Sequence, residues 1–247
     1  MKFFSQLFDI PAEDVPKVER RLQKRYAIGP DFHLAVAVVG DDWNATGNVR
    51  DIAVGGLGVT LDRGPAVDTG SNVKVGLRID GLEVITQGRL RHQRARTPRG
   101  LNGGLSLDFD DPKARQAFLQ LLIPVSVGAS LVTRASRPIE DVEPGVTKSY
   151  YAGESAASLS VSSRNKGGVS EAFAFELKID EYIIRGDRPP NLMFFTRGPM
   201  PIASPGDKPS VPTGELGDDV KRLFRWCVLN MTHLPPTEAK YLRRFVE

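Results

Sequence analysis

The chain has 247 residues, enough to bury one large core or two smaller ones, and two domains are expected. With 40% hydrophobic and 26% charged residues it has a globular composition that excludes global disorder, and 33 Lys+Arg against 30 Asp+Glu leave a net charge of only +3. So mild a charge does not by itself argue for nucleic acid or an anionic membrane, and any such claim must come from local clusters.

Cys227 is the single cysteine, so an intramolecular disulfide and the common cysteine metal spacings are excluded, as suits a reducing cytosol. No apolar run approaches the roughly 18 residues of a spanning helix, and the N-terminus lacks a charged start, apolar core and small-residue cleavage site. A soluble, cytoplasmic protein without a membrane span is expected.

Residues 1–18 read as an N-terminal helical arm, with Phe3, Phe4, Leu7 and Phe8 at helical spacing before Pro11 and Pro16, and docking on its own domain is preferred to membrane contact. An arginine-rich stretch, Glu19 to Arg25, follows. Strands are predicted at Phe32 to Val39, Gly47 to Asp51, Gly56 to Leu61, Asn72 to Ile79, Leu82 to His92 and Gly103 to Phe109. Asp80-Gly81, between two of them, is the strongest hairpin signal. Short strands with turn punctuation and almost no helical pattern between them predict a small antiparallel barrel or sandwich. Asp110-Asp111-Pro112 then reads as a helix start, Ala114, Phe118, Leu121 and Leu122 share one face, and Pro124 is expected to end the helix.

The second half reads as a smaller α+β domain over 124–247. Strand candidates are Thr147 to Ser162 and Glu171 to Ile184, with Asn165-Lys166-Gly167-Gly168 as a hairpin turn. Pro199 to Gly217 is rich in Pro and Gly and reads as an exposed loop. Asp218 or Asp219 is expected to cap a helix with Val220, Leu223, Phe224 and Cys227 on one side, and a short helix around Thr237 to Phe245 closes the chain.

The residues with the most chemical content are in the first half. Arg21 and Arg25 stand at i and i+4, beside Arg20, and share a side whether the segment is helical or extended. Arginine offers a planar fork of donors that fits phosphate oxygens or the O6/N7 edge of guanine, and it stacks on bases. Asp51-Ile52-Ala53-Val54-Gly55-Gly56 adds a carboxylate able to accept from the guanine N1 and N2 donors, and glycines that permit close backbone approach and positive φ.

This pairing of Arg-x-x-x-Arg with Asp-x-small-x-x-Gly resembles the PilZ family of bacterial cyclic di-GMP receptors, whose second motif is Asp/Asn-x-Ser-x-x-Gly. The resemblance covers roughly Val18 to Ile123, and the domain is placed at 19–123. It implies an antiparallel β-barrel closed by a C-terminal helix, with Gly103 to Phe109 as the last strand. It also implies that Arg20, Arg21 and Arg25 take phosphate and guanine on a segment that folds over the barrel, beside Asp51, Ala53, Gly55 and Gly56. Ala53 replaces the family's serine, and loss of one neutral hydrogen bond costs about 0.5–1.5 kcal/mol, roughly threefold to tenfold in affinity. Arg91, in the cluster Arg89 to Arg99, is a weaker candidate for an extra phosphate contact.

No catalytic constellation is present: His33, His92 and His233 are scattered, and P-loop and nucleophile-elbow patterns are missing. Trp43 and Cys227 are assigned to packing, with base stacking the lesser reading for Trp43. The expectation is therefore a non-enzymatic cyclic di-GMP receptor, without cofactor or metal, acting on a downstream protein partner in motility, exopolysaccharide or biofilm control. The alternatives are a PilZ-like adaptor that binds no nucleotide and, weakest, a nucleic-acid binder.

Overall fold

The computed structural model describes residues 24–62, 68–97, 100–138, 145–154, 156–179, 182–196 and 217–247. The expected arm at 1–18, Arg20, Arg21 and most of the Pro/Gly-rich loop from Pro199 lie outside the described residues. The chain divides into two compact units, 1–123 and 124–247.

The first unit holds β1 (Tyr26–Ala27), β2 (Ala35–Val39), β3 (Asn44–Ala53), β4 (Gly56–Leu61), β5 (Asn72–Ile79), β6 (Leu82–Thr97) and β7 (Gly100–Asp108). Six of them close an antiparallel barrel in the order β3, β2, β5, β6, β7, β4, because β3 also pairs with β4. The sequence dictates which side faces in: alternate residues Val73, Val75, Leu77 and Ile79 on β5 are buried, and their neighbours point to solvent. Asp80 (φ 44°) and Gly81 (φ 79°) form the two-residue turn between β5 and β6, as expected of an Asp-Gly hairpin.

Closure brings backbones close together. A Cβ on Gly47 would strike the carbonyl of Thr60, and one on Gly88 would meet the Ser106 carbonyl at 2.6 Å, so glycine serves at both positions. On β3, β2 pairs with Asn44 to Asn48, and β1 takes up the stretch β2 has left, with Tyr26 opposite Ile52 and Ala27 opposite Asp51.

Helix α1 (Pro112–Ser130) begins as predicted: Asp111 accepts from the Lys113 amide at 2.9 Å, with proline in the first turn. It does not end at Pro124. That residue lacks only one amide donor, and the buried Leu121 and Leu122 before it and Val125 and Val127 after it outweigh the missing bond. The unit boundary falls inside this helix, between Ile123 and Pro124.

The second unit is an antiparallel meander of β8 (Val132–Pro138), β9 (Val146–Ala152), β10 (Ser158–Lys166), β11 (Val169–Ile179), β12 (Tyr182–Arg188) and β13 (Asn191–Thr196), with α2 (Asp218–Leu229) and α3 (Pro236–Arg243). Each of the two strands expected here is split in two. Gly153 donates to Ala157 and Ala157 to Glu154, with Ala156 at φ 52°, and this turn separates β9 from β10. β8 and β13 were not predicted. The glycines of the Asn165 to Gly168 turn adopt φ of 60° and 85°, and Gly168 donates to the Asn165 side chain at 3.0 Å, as expected. Gly217, rather than Asp218 or Asp219, is the N-cap of α2; both aspartates lie in its first turn, where they favour the helix dipole. Phe175 on β11 holds the helices to the sheet, stacking on Phe224 at 5.4 Å and meeting Phe245 edge-on at 5.0 Å. Cys227 is fully buried and packs in this core, and burial pushes its thiol pKa far up.

Candidate functional site

The site begins with the pairing of β1 on β3. Ile28 donates to the Arg50 carbonyl at 2.8 Å, and this pairing fixes the residue before Tyr26 beside the end of β3. The Arg25 Nη1 donor thereby reaches Asp51 Oδ1 at 2.7 Å, joining the two motifs. Arg50 Nη2 stands 3.9 Å from the other carboxylate oxygen. Lys24 lies over the Tyr26 ring, 5.6 Å from its centroid. The side chains of Arg25 and Asp51 remain 52% and 24% exposed, so a ligand can reach both.

Glycines form the floor of the surface next to this pair. Asp51 faces Gly58 on β4, Gly58 faces Gly104 on β7, and Gly104 faces His92 on β6. A Cβ on Gly58 would collide with the Asp51 carboxylate, and one on Gly104 with the His92 imidazole. These side chains therefore lie over the two glycines from opposite sides. A parallel row runs from Ala53 to Gly56, Ser106 and Arg89. Arg91 Nε donates to Ser106 Oγ at 3.0 Å, where the β6–β7 register shifts between Leu90 and His92. Beyond it a cleft of about 370 Å³ is lined by Asn72, Gln87, Arg89, Ser106 and Asp108.

The structure therefore brings Arg25, Asp51, Ala53, Gly55, Gly56 and Arg91 onto one stretch of the barrel, and Arg20 and Arg21 lie outside the described residues. Neither Gly55 nor Gly56 adopts the positive φ that glycine permits. Gly56 is needed for close approach instead, since a Cβ there would meet the Leu105 carbonyl at 2.6 Å; the Gly55 carbonyl accepts from Leu107 at 3.0 Å. Ala53 is 4% exposed. Trp43 packs over Gly40, where a Cβ would strike its ring. Sequence reasoning did not single out Gly58, Gly104 or Ser106, and it placed His92 only within the basic cluster from Arg89 to Arg99. The available signal was Gly56-x-Gly58, two glycines on one face of a strand. Among the described residues no group of three or more His, Cys, Asp or Glu is placed to hold a metal ion, and no helix is long and apolar enough to cross a membrane.

A family model described as the PilZ domain matches residues 19–123. Among solved structures, the chain is similar to the PilZ domain with c-di-GMP of YcgR from Escherichia coli, at 14% identity over 42% of this chain and 90% of that one, TM-score 0.36. It is also similar to the PilZ domain of CeSA from a cellulose-synthesizing bacterium, at 18% identity over 40% and 95%, TM-score 0.31. A third similarity is to the Borreliella burgdorferi PlzA protein in complex with c-di-GMP, at 7% identity over 71% and 81%, TM-score 0.32. No curated protein matches the chain. The residues that match the PilZ-domain model, 19–123, are those that fold into the closed six-stranded barrel, with Arg25 and Asp51 joined at its surface.

Proposed function

We propose that this protein is a cytoplasmic cyclic di-GMP receptor whose 124–247 unit passes the signal to a protein partner, in motility, exopolysaccharide or biofilm control. The observation that carries the reading is the 2.7 Å contact between Arg25 and Asp51, which unites the two motifs at an exposed point of the barrel. Cyclic di-GMP has anionic phosphates for Arg25 and guanine N1 and N2 donors for Asp51, so it exchanges one weak surface pair for two charge-assisted contacts. Arg20 and Arg21 add phosphate and stacking contacts from the preceding segment, Gly55 and Gly56 let the ligand approach the backbone, and Arg91 adds a further cation. Ligand selects the state in which the arginine segment is drawn onto the barrel.

Calorimetric titration of the full chain with cyclic di-GMP tests this, with Arg25→Ala and Asp51→Ala expected to abolish or strongly weaken binding. Absence of heat at roughly ten micromolar ligand overturns the reading.

Ala53 favours a second reading, an adaptor that binds no nucleotide, because it removes the hydroxyl of the family's motif and lies buried. Ala53→Ser separates the two: a receptor tightens by roughly threefold to tenfold, whereas an adaptor stays silent.

A further inference from the structure

Asp51 supplies only acceptors, yet the Watson–Crick edge of guanine presents the O6 acceptor beside the N1 and N2 donors. A site that reads the whole edge must place one donor close to the carboxylate, on the same surface. Cytosine does this in a base pair, with its N4 donor beside two acceptors.

The transverse row supplies that donor. Gly58 and Gly104 are direct partners on adjacent strands, one lying under the Asp51 carboxylate and the other under the His92 ring. Directly paired residues of adjacent strands hold their Cβ positions about 4.5–5.5 Å apart, so carboxylate and imidazole occupy neighbouring places over a floor without side chains. His92 is exposed and accessible to ligand. Its ring carries at least one N–H in either protonation state.

Resting on the receptor reading above, we infer that His92 is a guanine-reading residue: its imidazole donates to O6 of a base whose N1 and N2 donors are held by Asp51. The pair then acts as a protein counterpart of the cytosine edge. The same arrangement selects against adenine, which presents its N6 donor where guanine has O6, so that two donors would oppose each other. Arg91, fixed on Ser106 next along β6, keeps a guanidinium beside the same base.

Two substitutions separate donation from stacking. His92→Gln keeps an N–H donor on a side chain of similar reach, and His92→Phe keeps a flat ring without one. Calorimetry of the full chain with cyclic di-GMP is expected to show wild-type-like affinity for His92→Gln. His92→Phe should bind roughly threefold to tenfold more weakly, with a reduced preference over cyclic di-AMP. If the wild type binds and His92→Phe binds equally well, or His92→Gln is as weak as His92→Phe, this inference falls and the receptor reading stands. If the wild type does not bind cyclic di-GMP, both fall.

Discussion

The barrel and the second sheet each contain a polar pair between residues far apart in sequence, but the pairs differ in setting. Arg25 and Asp51, 26 positions apart, meet at the surface of the barrel with the arginine half exposed. Tyr151 and Glu238, 87 positions apart, meet at 2.6 Å in the interior of the second unit, between β9 and α3. Parting a buried pair leaves a polar group unsatisfied away from water, so the pair specifies how a helix sits on a sheet. An exposed pair can exchange its partner for a ligand at little cost, so it suits recognition. The glycine rows sharpen the contrast: the barrel removes side chains from its outer surface beside the pair, whereas in the second unit the space above Gly186 is filled by the rings of Phe175 and Phe245.

The largest effect is expected where that aromatic filling is removed. Phe175 touches Phe224, Phe245 and Tyr241. Phe175→Ala should destabilise the second unit by about 3–5 kcal/mol through lost burial and a residual cavity. The chain has two tryptophans, Trp43 in the barrel and Trp226 in α2, so Trp226 fluorescence in a Trp43→Phe background reports this unfolding in denaturant. A loss below about 1 kcal/mol would mean that the helices are held by something other than this cluster.

Tyr151→Phe comes next. It leaves the Glu238 carboxylate buried, 6% exposed, without the hydroxyl that donates to it. The expected cost is about 1–3 kcal/mol by the same measurement, and an unchanged midpoint would make the pair dispensable. Burial, and then Glu238 itself, hold the Tyr151 phenol far above its usual pKa, so the hydroxyl remains a donor throughout the neutral range.

These particulars show what a linear reading can reach. Strands β4 and β5 agree with their predicted limits because their turn residues and alternation are local, and Asp111 announces the start of α1 by its place before Pro112. Continuation past Pro124 was invisible, since burial on both sides of the proline is a tertiary fact. β8, Val-Thr-Arg-Ala-Ser-Arg-Pro, has no apolar alternation and becomes a strand through pairing with β9. At the site, Arg25 and Asp51 were legible because both belong to motifs with recognisable spacing. The row Asp51, Gly58, Gly104, His92 runs across four strands, so no sequence interval marks it; it exists only once register is set.

A smaller effect concerns acid. Burial raises the Glu176 pKa, but hydrogen bonds from Lys178 and Arg185 outweigh it, and the carboxyl is held below its ordinary value of 4.5. Because the folded value is the lower one, the stabilisation is full above the ordinary carboxylate range and is lost as pH falls through the lowered value. Glu176→Gln should flatten the acid limb of the stability profile of the second unit while lowering its neutral stability, and an acid limb of unchanged slope would assign acid sensitivity to other carboxylates.

The smallest change in stability is expected at Arg25, and there the comparison is most exposed to failure. The Arg25–Asp51 pair lies at the surface, so Arg25→Ala should alter barrel stability by no more than about 1 kcal/mol, read from Trp43 fluorescence in a Trp226→Phe background. Loss of a charge-assisted contact to phosphate costs about 1.5–3 kcal/mol, so affinity for cyclic di-GMP should nevertheless fall by roughly tenfold to more than a hundredfold. If instead Arg25→Ala destabilised the barrel as much as Tyr151→Phe destabilises the second unit, and left affinity unchanged, the surface pair would be a structural clasp for β1. Burial would then no longer separate the two kinds of polar pair in this chain.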